Sequence, residues 1–122
     1  MKDNTMSKVT IWHNPRCSKS RNVANLLEEK GIEAEVVRYL DTPPSKEEIK
    51  AVLKMLGIPA RGLMRTKEAL YKELGLQDVE DEENLIEAMA ENPKLIERPV
   101  VIKDGKAAIG RPIEKVIELL DS

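Results

Sequence analysis

The single cysteine of the 122-residue chain, Cys17, stands in His13-Asn14-Pro15-Arg16-Cys17-Ser18-Lys19-Ser20-Arg21, directly before a stretch with helical periodicity. A thiol at a helix start meets backbone N–H groups that lack intrahelical acceptors, and it meets the positive end of the macrodipole. Both stabilise a thiolate, and comparable sites bring the thiol pKa to about 3.5 to 7.5. The same N–H groups can cradle an oxyanion. Arg16, Lys19 and Arg21 add positive charge nearby. The competing reading is a buried, inert thiol, since free cysteine is among the most buried residue types. Position at a strand-to-helix turn favours the nucleophile.

Cys17-Ser18-Lys19-Ser20 has the spacing of a redox Cys-x-x-Cys motif with a hydroxyl in place of the second thiol. Ser20 cannot resolve a disulfide. It can either donate a hydrogen bond to the Cys17 thiolate, lowering its pKa further, or bond backbone in the first helical turn. His13 could tune the loop electrostatically or act as a base. A structural role at the end of the preceding strand is the stronger reading, because neutral imidazole caps backbone readily.

The elements that must position these residues follow from periodicity. Val9 to His13 is short, β-rich and closed by Asn14-Pro15, which predicts a first strand ending in a turn. Val23, Leu26 and Leu27 recur at helical spacing before Gly31, and Ala34 to Leu40 reads as a second strand. Two strands joined by a helical crossover make a right-handed parallel βαβ unit. Ser45-Lys46-Glu47-Glu48 is a capping box, followed by the stripe Ile49, Val52, Leu53, Leu56 and closed by Gly57. Short helical pieces continue over residues 60 to 97. The acidic run Glu80 to Glu83 reads as a solvated helix start, favourable at the dipole's positive end. Pro99 to Ile102 and Lys106 to Ile109 flank Asp104-Gly105, a strong type I′ hairpin signal. Pro112, then Ile113, Val116, Ile117 and Leu120 on one face, predict a closing helix. Trp12 reads as core packing. The order β, α, β, helical insert, β, β, α is that of an α/β, thioredoxin-like mixed four-stranded sheet with an inserted helical subdomain. The boundaries are a single domain over 8–120, an insert over about 43–97, and a flexible N-terminal extension over 1–7, with Met6 a second candidate start.

Composition bounds the function. Twenty Lys and Arg against 22 acids give a net charge of −2, so no global positive field drives nucleic-acid binding. No apolar run approaches the roughly 18 residues of a membrane span, and Met1 to Lys8 lacks a signal peptide's apolar region. A cytoplasmic protein is expected. One cysteine excludes an internal disulfide, and one cysteine with one histidine cannot fill a four-ligand zinc site. With aromatic residues at 2% and no Phe, the core must be aliphatic.

Across residues 8 to 120 the sequence resembles the glutaredoxin-linked arsenate reductase family. His13-Asn14-Pro15-x-Cys17-x-x-Ser20-Arg21 is similar to that family's nucleophile loop. Leu63-Met64-Arg65, Glu97-Arg98-Pro99 and Gly110-Arg111-Pro112 are similar to its three oxyanion-arginine segments, in order, and the match is nearest to the Cys-Ser-Lys-Ser branch. The resemblance implies an oxidoreductase of arsenic detoxification, in which a Cys17 thiol-arsenate adduct is held by Arg65, Arg98 and Arg111. His13, Asn14, Ser20, Arg21 and Pro99 support that site. Glutathione, as co-substrate, and glutaredoxin resolve the adduct, with no bound cofactor or metal, in a monomer. Pro99 is expected to be cis and to face Cys17, with the Arg98 guanidinium over the thiolate. The arginines also stand on their own chemistry, because the rigid guanidinium fork binds two oxygens of a tetrahedral dianion at once. Taken alone, any one of them reads more readily as a solvated surface charge, and recurrence beside Pro99 and Pro112 strengthens the case for Arg98 and Arg111. Two alternatives remain: a monothiol glutaredoxin-like reductase of mixed disulfides, and an RNA polymerase-binding regulator of the Spx type, which Ser20 argues against.

Overall fold

The computed structural model describes residues 9–110 and 113–121. In chain order the elements are β1 (Val9–Trp12), α1 (Ser18–Glu29), β2 (Ala34–Val37), α2 (Lys46–Leu56), α3 (Ala69–Glu73), α4 (Glu82–Glu91), β3 (Val100–Lys103), β4 (Lys106–Ile109) and α5 (Ile113–Asp121). Short 3-10 turns lie at Ala60–Leu63, Leu76–Asp78 and Pro93–Leu95. The expected extension over 1–7 and the expected helix start at Pro112 lie outside the described residues. The chain divides into two compact units, one built from residues up to Arg38 and from Arg98 onward, the other Tyr39–Glu97.

In the first unit the sheet order is β2-β1-β3-β4. β1 and β2 are parallel, with Val9 opposite Ala34 and Trp12 opposite Val37, so α1 is the crossover. β3 runs antiparallel to both β1 and β4. This mixed sheet, a parallel βαβ half joined to an antiparallel hairpin and a last helix, is thioredoxin-like. Alternation along the strands decides what is buried: Val9, Ile11, Val101 and Ala108 form one apolar core with Val23 and Leu27 of α1 and Val116 and Leu119 of α5. Trp12 and its register partner Val100, on the other face, are buried too.

Two boundaries differ from those the sequence suggests. The second strand ends at Val37 rather than Leu40. Its partner β1 stops at Trp12, the His13 N–H closes the ladder on the Val37 carbonyl at 2.8 Å, and the turn at Asn14-Pro15 carries the chain away. On α5 the buried positions are Val116 and Leu119, whereas Ile113 and Leu120 pack at the margin of the core. The β3–β4 turn is as expected. Asp104 (φ 50°) and Gly105 (φ 76°) both take the positive φ of a type I′ turn, which glycine adopts without steric cost.

The second unit is helical. Ser45 caps α2 through a reciprocal box, its hydroxyl accepting from Glu48 N–H at 3.1 Å while the Glu48 carboxylate accepts from Ser45 N–H at 2.8 Å. Ile49, Val52 and Leu53 of α2 and Leu85, Ile86 and Met89 of α4 are buried in this unit. The acidic run opens α4 as expected, with Asp81 as its cap and Glu83 against Lys46 and Lys50. Water and salt screen those surface pairs, so the apolar faces hold the helices. Glu82 does more than solvate a helix start, because its carboxylate accepts from the Ala60 N–H at 3.0 Å. Arg61 donates to the Tyr71 hydroxyl and to the carbonyls of Leu76, at 3.1 Å, and Val79. One guanidinium thus ties the first 3-10 turn to the polypeptide of the next two elements. No helix among the described residues is long and apolar enough to cross a membrane.

Ser45→Ala removes one half of the capping box. It should lower unfolding free energy by about 1 kcal/mol, read from urea denaturation, while Ser45→Asp should retain most of the stability.

Candidate active site

β1 delivers His13 and the turn after it, and α1 begins immediately beyond, so Cys17 takes the N-cap position with extended backbone (φ −97°, ψ 124°). The loop between is held from within. Cys17 N–H donates to the Asn14 carbonyl at 3.0 Å, and Arg16 N–H donates to Asn14 Oδ1 at 3.0 Å. Arg21 reaches back from α1 to the Pro15 carbonyl at 2.9 Å. Ser20, fully buried, accepts from the Asn14 N–H at 2.9 Å and lies 2.7 Å from His13 Nδ1. These bonds account for the polar atoms of a tight turn that no ladder serves.

Cys17 is partly exposed. Burial pushes the Cys17 thiol up. Against this, the backbone N–H groups of Ser20 and Lys19 at the helix start and the charge of Arg98 favour the thiolate, so the pKa falls below the ordinary thiol value. Of the two roles open to Ser20 the structure shows the backbone one: its hydroxyl contacts go to the Asn14 N–H and to His13, and Ser20 influences Cys17 through its backbone N–H. The cation that lowers the Cys17 pKa is Arg98, the arginine that the family resemblance puts beside the sulfur, while Arg16, Lys19 and Arg21 are exposed. His13 is driven toward its neutral form, first by burial and then by the charges of Arg38 and Arg21, so it supplies no positive charge to the thiolate.

Arg98 arrives from the far end of the unit's sequence, at the entry to β3. The Arg98–Pro99 peptide is cis, and Pro99 is buried. The Pro99 carbonyl accepts from the Gly110 N–H at 2.8 Å. A Cβ added at Gly110 would stand 2.5 Å from Pro99 Cγ, so a side chain there would have to displace the ring. Arg65 belongs to the helical unit, where its guanidinium contacts the Lys94 carbonyl and Glu68. Arg111 lies outside the described residues. The structure thus gathers His13, Asn14, Cys17, Ser20, Arg21 and Arg98 in the first unit. One contributor escaped sequence reasoning: Arg38, whose charge reaches His13. The parallel pairing of β1 and β2 was the available signal for Arg38, which follows the strand end that His13 caps. Among the described residues no group of three or more His, Cys, Asp or Glu side chains could hold a metal ion.

The first unit is thus thioredoxin-like, with the lone cysteine at the N-cap of its first helix. The chain belongs to the ArsC family, whose model matches residues 12–119. It is 54% identical over 117 residues to an arsenate reductase of Neisseria meningitidis serogroup B, covering 94% of this chain and all of the relative. An uncharacterised Escherichia coli protein, YfgD, is 57% identical over 115 residues, covering 93% of this chain and 97% of its own. The solved structure of an arsenate reductase from Vibrio cholerae superposes with a TM-score of 0.88 at 52% identity, over 91% of this chain and 96% of that one.

The rate of Cys17 alkylation against pH should show a midpoint below the free-thiol value of about 8.5. Arg98→Ala should move that midpoint upward, and Ser20→Ala should move it less, since the hydroxyl does not touch the sulfur. The unfolded chain keeps its thiol proton up to about pH 8.5, so between the folded midpoint and that value Cys17 adds stability as pH rises, and acidification through the folded midpoint removes it. A midpoint at the free-thiol value would refute the thiolate assignment.

Proposed function

We propose that this protein is an arsenate reductase in which Cys17 is the nucleophile and external thiols supply the electrons. The observation that carries the reading is the place of the lone cysteine at the N-cap of α1, where the helix-start N–H groups and the Arg98 charge lower its pKa. Such a set stabilises a thiolate before attack and an oxyanion after it. The names of the Neisseria and Vibrio relatives support arsenate as the substrate.

The Cys17 thiolate attacks arsenic(V), forming an S–As bond while one arsenate oxygen departs as water. Charge on the remaining oxygens is met by Arg98, with Arg65 and Arg111 completing the anion set by family resemblance. Two electrons must then reach arsenic. With one cysteine in the chain, they come from outside: two thiols are oxidised to a disulfide, arsenite leaves, and the Cys17 thiolate is restored. Glutathione and then glutaredoxin are the proposed thiols, which suits a monomer working in the reducing cytoplasm and needs no bound cofactor. His13, held neutral, and Ser20 keep the loop in shape, and Asn14 and Arg21 close its turn.

The test is NADPH oxidation coupled through glutathione and glutaredoxin, with arsenate compared against a glutathione mixed disulfide. Arsenate-dependent turnover that Cys17→Ser abolishes is the expected result, and turnover with the disulfide alone would overturn the substrate. Arg98→Ala should lower kcat/KM by about 10² to 10³, the usual cost of one oxyanion donor. Arg98→Lys should recover part of the loss, because an ammonium keeps the charge without the bidentate fork.

A further inference from the structure

Arg65 enters the proposed chemistry as an anion ligand, and its surroundings within the helical unit give work to two residues outside that set. The Arg65 N–H donates to the Leu95 carbonyl at 2.7 Å and the Glu97 N–H to the Leu63 carbonyl at 2.7 Å, so residues 63–65 are strapped to 95–97 through the Met64–Ile96 bridge. The contacts that described residues make to the guanidinium both fall on Nη1. The Lys94 carbonyl accepts from it at 3.3 Å, and Glu68 Oε2 lies 3.4 Å away. The Nε–Nη2 edge, which offers two parallel N–H donors, is the edge that binds a tetrahedral anion bidentately. The second oxygen of Glu68 lies 3.3 Å from Lys94 Nζ. Glu68 is also unusual among the ion-paired carboxylates described: its side chain is 18% exposed, against 66% for Asp121 and 52% for Glu87. Partial desolvation makes its charge count for more.

Those contacts raise a conflict that Lys94 resolves. A carboxylate beside an arginine fixes its direction, yet the same charge repels a dianion bound on the arginine's other edge. We propose that Glu68 and Lys94 form a charge-neutral brace for Arg65. Glu68 holds the Nη1 end so that the Nε–Nη2 edge is presented to an oxyanion, and Lys94 cancels the carboxylate's charge. Both are positioning residues, and the inference rests on the oxyanion reading of Arg65 given above.

Calorimetric titration of arsenate into the Cys17→Ser protein isolates binding from chemistry, and steady-state kinetics with Cys17 present supplies KM and kcat. Lys94→Met should raise the arsenate Kd and KM about two- to five-fold, the scale of one partly exposed charge pair, with kcat within about two-fold. Adding Glu68→Gln to Lys94→Met should return Kd toward the starting value, because the amide still accepts from Nη1 but carries no charge. Lys94→Arg should restore binding without the second change. Lys94 is 56% exposed on its side chain, so its replacements leave folding intact, and melting curves check this and the Glu68 change. A merely structural pair would shift melting without changing Kd. An unchanged Kd in Lys94→Met, a double variant that fails to recover, or absence of arsenate binding in the Cys17→Ser protein would each overturn the brace. Binding that depends on Lys94 in a protein that does not turn arsenate over would leave the brace standing and refute the reductase reading instead.

Discussion

Cys17 stands at the N-cap of α1, where groups from both chain segments of the first unit lower its pKa, and the architecture around it serves that placement. The N–H groups of Lys19 and Ser20 are available because a helix start leaves its first donors without acceptors. They stand next to Cys17 because the helix begins at residue 18, with Cys17 in the N-cap position. The strand-to-helix turn fixes this start: Asn14 spends its carbonyl on the Cys17 N–H and its side chain on Arg16, and α1 returns a bond from Arg21 to Pro15. Arg98 then requires β3 to lie beside β1, which the antiparallel register of Trp12 with Val100 provides.

Burial works against the thiolate, and it is the largest single influence on the sulfur. That it is overcome explains why donors of two kinds are present. Backbone N–H groups cannot be removed by side-chain substitution, so part of the stabilisation is built into the fold, while Arg98 contributes a charge that substitution can remove. His13 is excluded from the same task. Buried and flanked by Arg38 and Arg21, it favours the neutral imidazole, and its value to the loop is the hydrogen bond with Ser20.

Local signals made the fold legible. The capping box at Ser45, the Asp104-Gly105 turn and the apolar stripes each depend on contacts within a few residues, and each element stands where those signals place it. The ends that slipped depend on partners distant in sequence. Ala34 to Leu40 has strand-like composition throughout, yet pairing stops at Val37 because β1 has no further residue to offer. Leu119 lies one position from the apolar Leu120, and only packing against Ile11 and Val101 decides which enters the core. At the site, the place of Cys17 at a helix start was readable because a lone cysteine before a helix is a local pattern. Which partner the Ser20 hydroxyl serves is a matter of three-dimensional competition, and His13 and the Asn14 N–H take it.

Ser20 therefore occupies the position of a second thiol for reasons of architecture. Its hydroxyl is fully buried, accepts one hydrogen bond from the loop backbone and shares another with His13. A cysteine there would be a weaker acceptor on a larger atom, and the turn carrying Cys17 would lose one of its ties to α1. The arrangement thus favours a firmly held single sulfur over an internal resolving partner. Under the proposed reaction this divides the work between molecules. The chain prepares the thiolate and meets the oxyanion's charge, and the electrons arrive on thiols from solution. That division needs a sulfur reachable from outside, and Cys17, which caps its helix while staying partly exposed, meets that need.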